Sequence, residues 1–258
     1  MINEVDKTDE VLTFWNSRAG LGQWAGTRDV NLKHLEIEAI ASYVNDGMRV
    51  LDVGCGNGIM AIELARRYKV RVTGIDYAQE MITAATGLGA NGDLKGSLDF
   101  RVGDVRDLSK FERFDLIYTE RTLINLPDWP TQRQAIINIG CLLADGGSYI
   151  MCEHSQDGLD KINEYRTSIG LTEIKPPWHN RYFHDSEIHQ STFPGMKLEA
   201  ISHFTSTYYF ISRVVNAWIA AQEGKEPDYD APINQLGLKL PPLDNFGQGR
   251  IWVWRKLA

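Results

Sequence analysis

Cysteine is scarce in this chain of 258 residues: Cys55, Cys141 and Cys152 form an odd set without metal-ligand spacing. That usage argues against a disulfide framework or a metal site and fits reduced, mostly buried thiols in a cytoplasmic protein. A surplus of positive charge is missing too. Lys+Arg number 27 against 34 Asp+Glu, a net charge of −7, which disfavours non-specific binding to nucleic acid or an anionic membrane. The longest apolar-looking stretch, Tyr208 to Ala221, is broken by Arg213 and Asn216 and is too short to span a bilayer. The opening Met-Ile-Asn-Glu-Val-Asp-Lys-Thr-Asp-Glu has neither the basic nor the apolar part of a secretion signal. Repeats and low-complexity segments are also lacking. What is present, 43% hydrophobic and 24% charged residues, suits one large α/β domain over residues 1–258.

The most informative run is Arg49-Val-Leu-Asp-Val-Gly-Cys-Gly-Asn-Gly58. It reads as a buried parallel strand entering a loop with glycine at 54, 56 and 58, followed at once by a helical pattern. Such a loop turns sharply and lets a ligand approach bare backbone. The dinucleotide fingerprint would need a third glycine at position 59, where Ile59 stands. No Gly-Lys-Ser/Thr closes a phosphate-binding loop either. Asp52, at the end of the strand, would repel a pyrophosphate in a low-dielectric cleft but suits a cation bearing an amino group. Two more strands end in acids. Arg71-Val-Thr-Gly-Ile-Asp76 places a carboxylate about 20 residues beyond the glycine loop, where ribose hydroxyls are commonly bound. Asp99-Phe-Arg-Val-Gly-Asp104-Val105 offers a side chain and a following amide to an adenine edge.

With Val50–Gly58, Gly74-Ile-Asp76-Tyr77, Gly103-Asp104-Val105 and Phe114-Asp-Leu-Ile-Tyr118 in this order and spacing, the chain resembles the class I S-adenosylmethionine-dependent methyltransferases over roughly residues 30–155. The resemblance implies a sulfonium cofactor without phosphate, in keeping with Asp52. It places Asp52, Gly54 and Gly56 at the methionine moiety, Asp76 at the ribose, and Asp104 with Val105 at the adenine. Cys55, Tyr77 and Glu120 stand among the same cofactor-binding positions. Related enzymes often fold a Trp/Arg segment over the cofactor. Here Trp15 would shield the sulfonium by cation–π attraction and Arg18 would meet the carboxylate, unless Trp15 merely packs.

The expected fold is α/β: a Rossmann-like, doubly wound, mostly parallel seven-stranded sheet with an antiparallel last strand. Residues 1–30 form an N-terminal helical cover, 31–155 the cofactor core, and 156–258 the acceptor-side insertions and closing strands. Helices are expected at Asn31–Val44, from Ile59 to about Tyr68, through Met81–Ala85, from Pro130, at Asp160–Ile169 and at Ser206–Gln222. Strands are expected at 71–76, near 98–105, at 114–120, from Ser148 to Cys152, over Lys197–Phe204 and from Gly249 to Lys256. Gly87–Gly96 reads as a loop, and Asp145-Gly-Gly147 as the end of the helix opened by Pro130.

Ligands of open parallel sheets lie beyond the carboxyl ends of the strands. Glu120-Arg121 and Glu153-His154 should therefore face the transferable methyl group. His154 is the first candidate base for deprotonating a hydroxyl acceptor, against a reading as a rim histidine. His179, in the segment Lys175-Pro-Pro-Trp-His-Asn-Arg-Tyr-Phe-His184, is the second, within a lid or acceptor wall or else a loop packed on the core. Arg121 either clamps an acceptor carboxylate or phosphate or pairs structurally with Glu120. The leading expectation is O-methylation of a small molecule or sugar, with no metal, nucleic acid or membrane as partner. Transfer to nitrogen or to a carboxylate, a nicotinamide oxidoreductase, and a non-catalytic cofactor-binding subunit are the alternatives.

Overall fold

The computed structural model describes residues 7–90 and 92–257, so the opening residues 1–6 read above lie outside the described residues. Seven strands form one sheet in the order β3-β2-β1-β4-β5-β7-β6. They are β1 (Arg49–Val53), β2 (Arg71–Asp76), β3 (Ser97–Val102), β4 (Phe114–Glu120), β5 (Leu143–His154), β6 (Met196–Ser202) and β7 (Gly249–Lys256). The first five run parallel, and β7 pairs antiparallel with both β5 and β6. The fold is the expected one. β4 is apolar and buried on both faces because helices cover both sides of the sheet.

Ten helices of α type accompany the strands among the described residues. α1 (Lys7–Arg18) and α2 (Val30–Ala41) precede the sheet, and α3 (Ile59–Arg67), α4 (Gln79–Gly89) and α5 (Trp129–Cys141) connect its parallel strands. α6 (Gln156–Ser168) and α7 (Asp185–His189) follow β5. The connection between β6 and β7 holds α8 (Ser206–Phe210), a π-helical turn (Ile211–Val215), α9 (Asn216–Gln222) and α10 (Asn234–Lys239). One core lies between the sheet and α5 with the segment around Phe183 and Phe193. A second lies on the opposite face against α2 and α3.

Several boundaries differ from expectation for local reasons. α2 begins at Val30 because the Asp29 carboxylate accepts the Leu32 N–H at 2.9 Å, a side-chain cap. α6 begins at Gln156 because the Ser155 hydroxyl caps Gly158. α4 continues to Gly89 despite its glycines, and β3 stops at Val102 before the Gly-Asp turn. α5 ends at Cys141, ahead of the Asp-Gly-Gly run, and β5 starts at Leu143 with a register shift against β4. β5 also extends to His154, held by pairing of Glu153 with Arg250 and His154 with Gly249.

Candidate active site

The glycine loop folds as its composition requires. Gly54, Gly56 and Gly58 have φ of 74°, 52° and 79°, a region that costs side-chain-bearing residues about 1 kcal/mol or more. A Cβ on Gly54 would collide with the Thr122 side chain, whereas one on Gly56 would meet open space. Gly56 therefore presents bare backbone to the cleft. Its N–H donates to Asp76 Oδ2 at 2.9 Å, and Ala78 N–H donates to Oδ1 at 2.8 Å. Asp76 thus fixes the loop against the end of β2 and keeps further lone pairs for a ligand. Burial raises its pKa above the usual carboxylate range.

Two contiguous hollows run along the strand ends. The first is lined by Gly54, Cys55, Gly56, Asp76, Tyr77 and Glu120, and closed by Trp15 and Lys33. The second continues past Asp76 and Tyr77 to Asp104, Val105 and Arg106. Asp104 accepts from the Arg106 guanidinium at 2.9 and 3.0 Å, so its carboxylate is already engaged at the adenine end of the cleft. Cys55 is a thiol whose pKa burial pushes up, with Asp52 and Asp76 adding to the effect. A reactive thiolate at Cys55 is therefore disfavoured.

Asp52 sits behind this cleft rather than in its wall. It is 2% exposed, faces Tyr118 across the β1–β4 pairing, and has one carboxylate oxygen without a hydrogen-bond partner. Burial above all pushes its pKa up to about 8. Besides Asp76, the cleft wall itself carries the carboxylate of Glu120, beside Lys33 and Arg121. Lys33 Nζ donates to its two oxygens at 2.7 and 2.6 Å, and Arg121 Nη2 donates at 3.0 Å.

Arg121 is held, not free to reach. Its Nε lies 3.0 Å from Glu36, and its Nη1 donates to Gly26 O at 3.3 Å. The backbone at Arg121 has φ of 53°, strained for a residue with a side chain. Its guanidinium ties α2 and the N-terminal segment to the end of β4, which favours the structural reading over an acceptor clamp. The sequence reading missed Lys33 and Glu36. The available signal was Leu32, Glu36 and Ile40 at i, i+4 and i+8, a carboxylate on the apolar stripe of α2.

Arg18 also lies elsewhere than expected. Its guanidinium donates to Ala25 O and Trp24 O, and it lines a third cavity rather than the cleft. Trp15 does close the cleft. Its indole N–H donates to Asn125 at 3.1 Å, and its ring meets Phe14 and His179 edge-on.

The third cavity, of about 500 Å³, adjoins the first through Trp15, Gly26, Thr27, Arg121 and Asn125. His154 and His179 both line it, so the structure brings the two candidate bases to one chamber. His154 is 7% exposed, and neither ring nitrogen has a hydrogen-bond partner. Burial, then Arg121 and Arg213, hold its pKa well below the usual histidine value. It is a neutral imidazole. His179 is packed among Phe14, Trp15 and Trp178 at 4.5 to 5.7 Å between ring centres, as part of a wall. Its neighbour Trp178 is exposed.

Residues 44–192 match the family model described as a methyltransferase domain. The chain belongs to the class I S-adenosylmethionine-dependent methyltransferases. It is similar to 27-O-demethylrifamycin SV methyltransferase of Amycolatopsis mediterranei, 34% identical over 128 residues, 48% of this chain and 46% of that protein. It is also similar to ubiquinone biosynthesis O-methyltransferase of Coxiella burnetii, 28% identical over 141 residues, covering 54% and 56%. The chain thus spans about half the length of the curated relatives it matches. Among solved structures, the Haloferax volcanii protein in complex with the Trm112 methyltransferase activator superposes with a TM-score of 0.62 at 18% identity, covering 95% and 97% of the two chains. Magnesium protoporphyrin IX methyltransferase of Synechocystis, with bound S-adenosylmethionine, gives 0.59 at 14% identity over 99% and 100%. These two likenesses show a shared fold.

S-adenosylmethionine is the family's cofactor, and the cleft of this methyltransferase fits it. The carboxylate of Asp76 and the bare Gly56 backbone stand where a ribose and a methionine chain can approach, and the cleft's cations are spent on its own carboxylates: Lys33 and Arg121 on Glu120, Arg106 on Asp104. Among the described residues, no three His, Cys, Asp or Glu side chains gather as a metal site, and no helix is long and apolar enough to cross a membrane.

Proposed function

We propose that this methyltransferase transfers the methyl group of S-adenosylmethionine to a hydroxyl of a small, polar, ring-shaped molecule. The observation that carries this reading is His154, a buried imidazole whose two ring nitrogens lack partners and which lines a chamber that joins the cofactor cleft. Bound S-adenosylmethionine supplies a carbon already activated for displacement by its sulfonium. The chain's own work is to hold the acceptor oxygen in line and to remove its proton. His154 would accept that proton from the acceptor hydroxyl as the oxygen takes up the methyl group that the cofactor would supply. Asp76 would hold the ribose, Asp104 and Val105 would flank the adenine, and Glu120 with Lys33 would meet the charged methionine end. Trp15 stands in the wall where the cleft and the chamber meet.

Support comes from two relatives whose names state O-methylation, and from tyrosine and tryptophan walls suited to a ring. The test is label transfer from methyl-labelled S-adenosylmethionine to a panel of phenols, sugars and matching amines. Label on hydroxyl compounds supports the reading. Label confined to the amines would overturn O-methylation.

A further inference from the structure

The acceptor chamber carries a charge opposite to that of the chain as a whole. Its ionised lining residues are Arg18, Arg121, Arg166, Lys175 and Arg213, with no aspartate or glutamate among them, although the chain's net charge is −7. Two of the five are neutralised from behind the wall. Arg121 meets Glu36 and Glu120, and Arg213 meets Asp29 at 2.6 Å. The other three, Arg18, Arg166 and Lys175, form no ion pair among the described residues. Arg18 and Arg166 spend donors on backbone carbonyls: Ala25 and Trp24 for Arg18, Thr172 and Arg213 for Arg166.

Arg166 is the most telling. It is half-buried beside Arg213, and burial together with that like charge lowers its pKa. Cations gathered in a partly desolvated chamber repel one another unless an anion joins them. The same surroundings weaken His154 as a base, since Arg121 and Arg213 disfavour imidazolium. An oxyanion between the guanidiniums would relieve both penalties together. The donor's own carboxylate does not account for these cations. Arg18, Arg166 and Lys175 line the acceptor chamber and not the cofactor cleft, whose own cations are Lys33, Arg121 and Arg106. Ring surfaces complete the chamber: Tyr182, Tyr209 and Tyr229 line it, and the Arg213 guanidinium lies 4.5 Å from the Tyr229 ring centre.

We propose that the acceptor is a hydroxylated ring compound bearing an oxyanion, either a carboxylate or a phosphate monoester, which Arg166, Arg18 and Lys175 hold while its hydroxyl faces His154. This rests on the methyl-transfer reading and names the class of its substrate. Arg166 and Arg18 can present planar forks to such a group, and Lys175 a point charge.

Calorimetry on the full chain tests it, with benzoate, phenyl phosphate and the neutral isostere benzamide titrated with and without S-adenosylhomocysteine. At least one anion should bind about tenfold or more tightly than benzamide. Preference for benzoate assigns a carboxylate, and preference for phenyl phosphate assigns a phosphate. Arg166→Met should remove the preference, and Arg166→Lys should restore part of it. Because Arg166 also bonds backbone carbonyls, the exposed Lys175→Met is measured alongside and should weaken anion binding without unfolding the chain. Equal affinity for all three probes, or no heat from either anion at millimolar concentration, would overturn the proposal. If S-adenosylhomocysteine itself is not retained, the methyl-transfer reading falls, and this one with it. Retention of S-adenosylhomocysteine without anion preference sinks the present inference alone.

Discussion

Glu153 and His154 are consecutive in β5, yet they serve opposite faces of the sheet. The Glu153 carboxylate accepts the N–H groups of Thr122, Leu123 and Ile124 at 3.0 to 3.3 Å, shaping the turn after β4. His154 lines the third cavity, the proposed acceptor chamber. Glu153→Gln brings an amide donor toward three backbone donors, so the turn loses acceptors. Urea unfolding should show a loss of about 1–3 kcal/mol.

His154→Ala should lower turnover about 10²-fold while leaving S-adenosylhomocysteine affinity unchanged. Single-turnover rates with the acceptor saturating, together with calorimetry, separate these effects. Because the imidazole's pKa is held below its ordinary 6.5, the base stays neutral at pH 6.5 and above. The acid limb of the rate profile should therefore lie below pH 6.5.

Arg121→Met leaves Glu36 and Glu120 buried with only Lys33 to share. Breaking a buried pair from one side typically costs about 3–5 kcal/mol. A fall in thermal stability of that order is expected, greater than any selective change in acceptor KM. A wild-type melting curve with raised acceptor KM would restore the clamp reading.

Asp76→Ala removes the acceptor of the Gly56 and Ala78 N–H groups as well as the proposed ribose contact. Hydrogen bonds to a charged group contribute about 1.5–3 kcal/mol, so S-adenosylhomocysteine should bind roughly ten- to a hundredfold more weakly. Equilibrium dialysis measures it.

Asp52 sets a pH dependence of stability. Its folded pKa of about 8 exceeds the unfolded value of 3.8, so the folded chain binds the extra proton between those limits. Its contribution therefore falls as pH rises through that window, by at most about 1.4 kcal/mol per pH unit. Glu153, raised to about 7 by burial, acts in the same direction. Asp52→Asn should flatten the decline in melting temperature from pH 5 to pH 8 in the cofactor-free protein. An unchanged slope would show that Asp52 is ionised throughout.

The parallel half of the molecule was readable from the sequence because each strand there ends in its own punctuation. β2, β4 and β7 fall on their expected residues, and Asp76, Tyr77, Asp104 and Val105 all line the hollows at the strand ends. His154 and His179 were picked from strand-end position and from an aromatic segment, and both reach one chamber. What could not be read depends on contacts distant in the chain. Arg18 turns away because Ala25 and Trp24 offer carbonyls, and Arg121 is committed because Glu36 arrives from α2. Periodicity names a helix but not its long-range partner. Asp29 shows the same limit: it caps α2 and also receives Tyr208 Oη at 2.6 Å and the Arg213 guanidinium, 179 and 184 residues away.

The π-helical turn at Ile211–Val215 carries Ser212 and Arg213, with Tyr209 just before it and Ala217 just after, all on the chamber wall. Such a turn holds one more residue than an α-helical turn would. Removing a single residue there would restore regular winding and keep the flanking turns nearly in register, so the wall would lose one side chain without turning its neighbours away. Ser212 or Arg213 could be lost from the chamber in this way while the glycine loop kept its shape. A lineage could thus exchange one acceptor for another through a three-nucleotide deletion, leaving its use of the methyl donor intact.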